Sequence, residues 1–335
     1  MRKKLWQFQL IMLYYSTALI LFLHRDHKDE LWAKVLYVTL LPYYLIKFVY
    51  CFIYEKIIGN AIIEKKKRRE QNTNFEHDLA IVAIIKNESQ YLKEWLDYHI
   101  AVGIRKFFLY DNESNETTIQ YTTLKPYIDN GLVEYIPFPG KRQQLPAYNH
   151  AIKHYKNKCK YLAMIDADEF IFSEFSIFEI VDKIINNVNG AAGIGVNWCM
   201  YGSGGQIKQT NEMVTKRFIM RAKQEHWVNM HLKTIVNPRL VSDYISPHYP
   251  VFKLGAFSVN TNGQRQWWAM GRPILWDKIR INHYFCKSWE EWLQKQNRGF
   301  ADKDRKHDLT KFEKYDLNDV EDTSIKDLVE KLNIK

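Results

Sequence analysis

Tyr161-Leu162-Ala163-Met164-Ile165-Asp166-Ala167-Asp168-Glu169-Phe170-Ile171-Phe172 is the most informative segment of the chain. Its apolar residues run directly into three carboxylates, and apolar residues then resume at once. A short apolar run of this kind predicts a buried strand of a parallel sheet. The acids would then lie at the carboxyl end of that strand, which faces the ligand crevice in open α/β sheets.

Asp166 and Asp168 are separated by Ala167 alone, so a bend at the strand end can turn both carboxylates toward one hard cation. Oxygen ligands of this type suit Mg²⁺ or Mn²⁺. The alternative for a bare Asp-x-Asp is a turn with solvated acids. A third acid, Glu169, follows directly in a chain of net charge +10, and this favours a metal site over a solvated turn.

Upstream of this segment, apolar strands alternate with helical patterns. Strands are predicted at 79–85, 106–110, 132–137 and 161–165, with helices at 91–100, 117–130 and 143–157. This alternation predicts an α/β fold with a doubly wound, mostly parallel sheet. Polar residues follow Ile85, Tyr110 and Ile165, so one sheet edge is expected to hold a nucleotide. Further strands are predicted at 193–198 and 280–285, with helices at 176–188, after Ser288 and at 324–332.

The N-terminal region is strongly apolar. Residues 5–23 and 31–54 are long enough to cross or enter a bilayer, and a basic run follows at 65–69. We therefore expect a hydrophobic, membrane-associated helical hairpin over 1–58, lying across or along the membrane; a buried hairpin is the alternative. A basic and polar linker is predicted at 59–77, a catalytic domain at 78–303, and a charged tail with a possible helix at 304–335.

The composition favours an anionic partner. The chain has 335 residues, 46% of them hydrophobic, so it can bury a sizeable core. Lys and Arg outnumber Asp and Glu by 48 to 38, which suits a nucleotide or a lipid headgroup. Nucleic acid is the least favoured partner, because there is no basic-aromatic repeat. Four scattered cysteines without metal or redox spacing indicate buried, reduced thiols: Cys51, Cys159, Cys199 and Cys286.

Four motifs in this order carry a resemblance to a known family. They are Asn87-Glu88 with Tyr91-Leu92-x-x-Trp95, Tyr110-Asp111-Asn112-x-Ser114, Asp166-Ala167-Asp168-Glu169-Phe170, and Asn282-His283-Tyr284-x-x-Lys287-Ser288 running on to Arg298-Gly299. The set resembles glycosyltransferase family 92 and related family-2-like bacterial transferases. Their domain has the A-type, or GT-A, nucleotide-diphospho-sugar transferase fold. The resemblance covers about 78–303 and does not include the hydrophobic hairpin.

The resemblance implies a role for each matching residue. Asn87, Glu88 and Asp111 would line the nucleoside pocket, with Gln144 and Tyr148 near the nucleotide. Asp166 and Asp168 would hold the divalent metal and the diphosphate, and His283 would be a further metal ligand. Lys287, Ser288 and Arg298 would meet the phosphates. Trp198 and Gly204 would border the sugar or the acceptor.

Sugar transfer places negative charge on the leaving diphosphate, which a metal and basic side chains stabilise. The sugar becomes oxocarbenium-like, and an inverting enzyme also needs a base for the acceptor hydroxyl. Besides Asp168 as a catalytic carboxylate, the candidate bases are Glu225, Asp243 and Glu212, each of which could equally be a solvated surface acid.

The sequence therefore predicts a metal-dependent, inverting transferase that moves a hexose from a UDP-sugar to a surface-glycan or lipid-linked acceptor such as lipopolysaccharide. Asn87-Glu88-Ser89 is a glycosylation sequon in the expected pocket, which favours a cytoplasmic catalytic domain at a bacterial inner membrane. One alternative is a haloacid-dehalogenase-type phosphatase using the Asp-x-Asp strand end. Another is an inactive nucleotide-sugar-binding membrane protein.

Overall fold

A computed structural model of the chain describes residues 59–70, 73–298 and 310–334, together with Pro42 and Ile46. The chain divides into two compact units, residues 1–62 and 63–335. Almost all of the first unit, and with it the hairpin predicted at 1–58, lies outside the described residues. No helix within the described ranges is long and apolar enough to cross a membrane.

The first half of the second unit alternates strands with helices, as predicted. After helix α1 (Asn60–Glu70), the elements are β1 (His77–Ile85), α2 (Ser89–Ala101), β2 (Phe107–Asp111), α3 (Thr117–Asp129), β3 (Val133–Pro137), α4 (Gln144–Tyr155) and β4 (Cys159–Met164). These strands pair in the parallel order β3-β2-β1-β4. Their carboxyl ends therefore share one edge of the sheet.

The second half is less regular. It comprises β5 (Glu169–Phe172), α5 (Ile177–Asn187), β6 (Ala191–Met200), α6 (Val214–Arg217), β7 (Met220–Arg221), β8 (Leu232–Val236), β9 (Val241–Tyr244), β10 (Pro250–Phe252), β11 (Phe257–Val259), β12 (Arg265–Gln266), β13 (Arg280–His283) and α7 (Trp289–Arg298). Short 3-10 helices cover Trp227–Met230 and Pro238–Leu240. The C-terminal segment contains α8 (Thr310–Tyr315), β14 (Val320–Glu321) and α9 (Ser324–Lys331).

One antiparallel strand interrupts the otherwise parallel centre of the sheet. β8 lies between β4 and β6 and runs antiparallel to both. β13 pairs with β6 in parallel and with β5 in antiparallel fashion, which sets His283 opposite Glu169 and Met200. The predicted mixed α/β fold with a mostly parallel sheet is confirmed, and β13 is brought beside the acidic turn.

The sheet is covered on both faces, which explains the unbroken apolar run of β1. Its residues Leu79–Ile85 are all buried. Alternate side chains enter two different clusters: Ile81 packs with Trp95 of α2, whereas Val82 packs with Tyr148 of α4. A strand buried on both faces loses the alternation of polar and apolar residues that marks a half-exposed strand. The predicted buried thiols at Cys159, Cys199 and Cys286 also lie in the interior.

The predicted linker differs from the structure, since its basic run is helical and partly buried. Lys67 of α1 is only 6% exposed, and its ammonium donates to the carbonyl oxygens of Ile185 at 2.8 Å and Val188 at 3.1 Å. At the end of the same helix, Glu70 accepts a hydrogen bond from Asn237 and pairs with Arg239. Residues 63–70 of helix α1 are thus packed onto the rest of the second unit.

The segment predicted as a charged tail is also packed, with its last helix close to the predicted position. β14 pairs with β7, and Asp322 forms ion pairs with Arg221 at 2.6 Å and Arg280 at 3.1 Å. The C-terminal segment is therefore an integral part of the second unit, because it supplies the carboxylate that neutralises two partly buried arginines.

Candidate active site

The acidic turn lies between β4 and β5 and is held by backbone contacts. The indole N–H of Trp95 donates to the carbonyl oxygen of Glu169 at 2.8 Å, and the backbone N–H of Tyr284 donates to that of Asp168 at 2.9 Å. α2 and β13 therefore fix the turn from two sides. Asp168 is 9% exposed, whereas Asp166 is partly open.

Asp166 is engaged through both carboxylate oxygens. Oδ1 accepts from Gln144 Nε2 at 2.8 Å and from the Tyr148 hydroxyl at 3.3 Å, and Oδ2 accepts from Lys233 Nζ at 2.8 Å. The structure thus places the predicted nucleotide-side residues Gln144 and Tyr148 directly against this carboxylate. Asp166 is an anchored anion whose oxygens already have partners.

Lys233, on β8, is the buried counter-charge of this turn. It is 1% exposed and also lies 3.5 Å from Oε2 of the fully buried Glu169. Burial lowers the pKa of Lys233, but the negative charges of Asp166 and Glu169 outweigh burial and raise this pKa well above its ordinary value. Burial raises the pKa of Glu169 well above its usual range. Lys233 thus provides the buried positive charge that faces both Asp166 and Glu169.

Asp168 has a different pair of neighbours. Its Oδ2 accepts from Lys295 Nζ at 2.6 Å, and its Oδ1 lies 3.5 Å from His283 Nε2. Burial raises the pKa of Asp168, but the charge of Lys295 and the contact with His283 outweigh burial and hold this pKa well below its ordinary value. Asp168 is therefore ionised at neutral pH.

Asp168 and His283 fit a divalent cation better than Asp166, because both oxygens of Asp166 already accept hydrogen bonds. Burial lowers the pKa of His283, so its imidazole is neutral and can act as a ligand beside Asp168 Oδ1. Within the described ranges, no group of three or more His, Cys, Asp or Glu side chains is arranged around one ion position. An ion held by Asp168 and His283 would thus take further oxygens from a substrate, as Mg²⁺ commonly does with phosphates.

A pocket of about 320 Å³ opens beside Asp168, between α2 and the start of α7. Six side chains that matter for its chemistry line it: Asn87, Glu88, Tyr91, Lys287, Glu291 and Lys295. Lys295 joins this pocket to Asp168 through its ion pair. A ligand in the pocket is therefore connected to the acidic turn through Lys295.

The predicted nucleoside residues are brought together at the ends of β1 and β2. The backbone N–H of Asn87 donates to Ser114 Oγ at 2.9 Å, and that hydroxyl donates to Asp111 Oδ1 at 2.6 Å. The backbone N–H of Glu88 donates to Gln120 Oε1 at 3.0 Å. Asp111 is buried and also accepts from Tyr135, so it stabilises the loops around the pocket.

The predicted phosphate-binding residues have distinct surroundings. Lys287 has a φ of +55° and its ammonium lies 3.4 Å from the centroid of the Tyr91 ring, at the pocket wall. Burial lowers the pKa of Lys287. Ser288 instead caps α7: its Oγ accepts from the backbone N–H of Glu291, whose carboxylate accepts from the backbone N–H of Ser288. The side chain of Arg298 is not among those that the structure describes.

Trp198 and Gly204 are both predicted to lie near the sugar or acceptor, but they contact different parts of the protein. The Trp198 ring lies 4.4 Å from the His283 ring, centroid to centroid, and so borders the acidic site. The backbone N–H of Gly204 donates to Asn318 Oδ1 at 2.7 Å. The glycine loop at 202–205 thus faces the C-terminal segment.

The three acids predicted as candidate bases are exposed. Glu212 lies before α6, Glu225 in a turn before the 3-10 helix at Trp227–Met230, and Asp243 on β9, where it accepts from Ser242. Among the described residues, no hydrogen bond or ion pair joins any of the three to Asp166 or Asp168. The structure does not bring them together with the acidic turn.

Lys233 and Lys295 are not among the residues predicted for the site, although both contact the central acids. Lysine is almost never fully buried unless it is paired, so a single lysine inside the apolar strand Leu232–Val236 was a usable signal. Lys295 lies four residues after Glu291 in α7 and so on the same helix face, which gives a weaker signal.

Comparison with known proteins identifies related sequences. The sequence profile of glycosyltransferase family 92 matches residues 81–262, more than half of the chain. A glycosyltransferase family 92 protein of Arabidopsis thaliana is 21% identical over 313 residues, which cover 82% of this chain and 49% of that protein. A family 92 protein of Oryza sativa subsp. japonica is 23% identical over 65% of this chain and 35% of its own length. The chain thus spans about half or less of these relatives.

Solved structures show distant likenesses. Staphylococcus aureus TarS (residues 1–349) aligns over 49% of this chain and 48% of that chain, with 13% identity and a TM-score of 0.33. GalNAc-T7, crystallised with UDP, GalNAc and Mn²⁺, aligns over 64% of this chain and 45% of that chain, with 12% identity and a TM-score of 0.33.

Proposed function

Because this chain belongs to glycosyltransferase family 92, we propose that it transfers a hexose from a nucleotide sugar, a UDP-hexose, to a surface-glycan or lipid-linked acceptor such as lipopolysaccharide. The proposal depends mainly on the position of Asp168, which faces His283 and pairs with Lys295, a residue that lines the pocket. We assign the sheet to the GT-A fold on the basis of the family. Membership of this family favours a glycosyltransferase over the alternative function, that of a phosphatase.

The pocket provides the charges that a leaving diphosphate requires. As the bond between the anomeric carbon and the phosphate oxygen breaks, negative charge builds on the diphosphate. Lys287 and Lys295 both line the pocket, and Lys295 Nζ is also held by the carbonyl oxygen of Phe285 at 2.9 Å. Fixed positive charge in a buried site stabilises that transition state without reorganisation.

Asp168 and His283 are the residues that would hold a divalent metal in the proposed reaction. When bound, the metal would supply further positive charge to the diphosphate oxygens. Asp166, kept in place by Lys233 and Gln144, is left to accept hydrogen bonds from the donor sugar. We further propose that the transfer inverts the anomeric centre in a single displacement.

The proposed location is the cytoplasmic face of a bacterial inner membrane. Two features support this choice. Asn87-Glu88-Ser89 is a glycosylation sequon in the pocket wall, where an N-glycan would block the pocket. Lys65, Lys66, Arg68 and Arg69 of α1 are exposed, and each such cation near an anionic leaflet contributes about 1 kcal/mol of attraction.

The proposed function is tested by thermal unfolding of the full chain with UDP-, GDP- and CDP-sugars, each with Mn²⁺ and with EDTA. A bound UDP-sugar at a hundred times its dissociation constant stabilises the fold by about 2.7 kcal/mol. We expect this shift to vanish in EDTA and in Asp168→Asn. No shift with any nucleotide sugar would refute a transferase function, and binding without release of UDP in the presence of acceptor glycans would indicate an inactive binding protein.

A further inference from the structure

The indole of Trp198 is surrounded by three imidazoles. Ring centroids lie 4.4 Å away for His283, 5.0 Å for His231 and 5.2 Å for His248. His231 is nearly parallel to the indole, at 22°, and its carbonyl oxygen accepts from the backbone N–H of Trp198 at 2.9 Å. His283 belongs to the acidic site, so the other two imidazoles extend that site across β6 and β8.

Trp198 carries a buried donor that the fold does not use. The residue is 8% exposed, and its indole N–H has no hydrogen-bond partner among the described residues. A buried donor left unsatisfied costs about 1–3 kcal/mol, so such a group beside a candidate active site is a suitable contact for a ligand. An acceptor hydroxyl would satisfy this N–H.

Both additional imidazoles present an unprotonated nitrogen. His231 Nδ1 lies 2.9 Å from the carbonyl oxygen of Val228, and His248 Nδ1 lies 3.0 Å from that of Leu232. A carbonyl oxygen only accepts, so each Nδ1 carries the proton and each Nε2 keeps its lone pair. Burial lowers the pKa of both rings, which keeps them neutral.

His231 is better placed than His248 to receive a proton from an acceptor. Burial, reinforced by the charge of Lys233, lowers the pKa of His248 to about 3, which makes it a weak base. His231 is half-buried, and its ring lies 5.8 Å from that of Trp227, which is 37% exposed. The exposed Trp227 offers an aromatic face suited to a saccharide on one side of this imidazole, and the buried Trp198 stacks against the other side.

We propose that His231 is the general base of the transfer, and that the Trp198 N–H orients the saccharide acceptor beside it. The inference rests on the proposed function. The acceptor hydroxyl gives its proton to His231 Nε2 while its oxygen forms the bond to the anomeric carbon. The bond from that carbon to the phosphate oxygen breaks, its electron pair leaves with the nucleoside diphosphate, and His231 later returns the proton to water. The exposed acids Glu212, Glu225 and Asp243 then take no part.

The test compares three measurements on the full chain with donor and Mn²⁺: the thermal shift caused by the donor, transfer to a glycan acceptor, and rescue by added imidazole. In His231→Gly we expect an unchanged donor shift, a fall in kcat for transfer of about 10²- to 10⁴-fold, and partial recovery in imidazole. His154→Gln, which changes an exposed histidine on α4, is the matched control and should keep wild-type transfer. Wild type in the same imidazole corrects for metal binding by the buffer.

Each outcome separates this inference from the proposed function. Loss of transfer without imidazole rescue would assign His231 a structural role and overturn the inference, as would transfer within threefold of wild type in His231→Gln. Trp198→Phe keeps an aromatic ring and removes the N–H, so we expect a higher KM for the acceptor with donor binding unchanged. An unchanged acceptor KM would refute the role of the indole. If wild type itself fails to bind any donor, the proposed function fails first.

Discussion

The ammonium of Lys295 lies 2.6 Å from Oδ2 of Asp168, inside a site where this carboxylate is almost completely buried. The two oxygens of this carboxylate therefore have different neighbours. One oxygen is neutralised by a lysine that reaches the donor pocket, and the other faces His283 at 3.5 Å. Without a metal ion the site therefore holds a paired lysine and carboxylate, while one carboxylate oxygen remains directed at a neutral imidazole.

Lys295→Met should destabilise the fold, because it leaves Asp168 charged and buried without its counter-charge. Breaking a buried pair costs about 3–5 kcal/mol, and the partial openness of this site favours the lower end. Lys93→Met is the matched control: its exposed pair with Asp97 on α2 contributes about 0.5 kcal/mol. Urea unfolding at pH 7 measures both. Equal losses in the two variants would show that the Asp168 pair is no stronger than a surface pair.

The same pair predicts a direction for acid destabilisation. The folded-state pKa of Asp168 is depressed, so its stabilisation is present above the pKa of an unfolded aspartate, about 3.9, and is lost as the pH falls below that value. The difference in unfolding free energy between wild type and Lys295→Met should therefore narrow as the pH falls from about 4 toward about 2. A constant difference over that range would contradict the assignment.

Mn²⁺ affinity should distinguish the two aspartates. Asp168→Asn and His283→Ala each remove a proposed ligand and should weaken Mn²⁺ binding in the presence of UDP by about 100-fold, the upper end of what loss of a supporting partner costs. Asp166→Asn should leave the affinity within a few-fold of wild type, because Lys233 and Gln144 hold that carboxylate. Isothermal titration gives the constants. The reverse order of effects would place the ion on Asp166.

His99 should make stability depend on pH. Burial lowers the pKa of its imidazole to about 3, and the neutral ring donates to the carbonyl oxygen of Trp95 and accepts from the backbone N–H of Ile171. The unfolded chain binds a proton below about pH 6.5, so unfolding free energy falls by up to about 1.4 kcal/mol per unit as the pH drops. Urea midpoints at pH 7, 6 and 5 should show a shallower slope for His99→Gln. An unchanged slope would mean that His99 is already charged in the fold.

Gly202→Ala should loosen the C-terminal segment. A Cβ there would lie 2.3 Å from Asn318 Oδ1 and 2.6 Å from the carbonyl oxygen of Leu317, so residues 317–318 must move. Overpacking of this kind costs about 1–3 kcal/mol. Limited proteolysis should cut the segment faster in this variant. Gly131→Ala, which strains the backbone but contacts nothing within 4 Å, should leave that rate unchanged. Equal cutting rates would show that the segment is not held at Gly202.

The sequence was sufficient to predict the parallel half of the sheet and the position of the acidic turn. β1, β2 and β4 are buried on both faces, so their apolar runs are continuous and end abruptly at polar residues. The carboxyl ends of these three strands must share one edge of the sheet, because parallel strands align their carboxyl ends. The edge is marked by Ile85, Tyr110 and the turn at Asp166. The cap at Ser288 was predictable for a similar local reason.

The partners of the acids could not be predicted in this way. Lys233 reaches Asp166 from 67 residues away, and Lys295 reaches Asp168 from 127 residues away. Both contacts depend on β8 running antiparallel between β4 and β6 and on α7 following β13, and a short apolar strand carries no sign of its direction. The candidate bases were chosen by residue type alone, and exposure of Glu225 and Asp243 is decided by turns and strand register that no periodicity reveals.

Helix α1 is attached to the sheet edge opposite the acids. Lys67 binds carbonyl groups that precede β6, and Glu70 contacts residues that follow the antiparallel β8, whereas Asp166 follows β4. Residues 63–70 are thus fixed at the edge of the sheet that lies away from the acidic turn. The contacts of this helix stabilise the sheet there without involving any residue of the acidic turn.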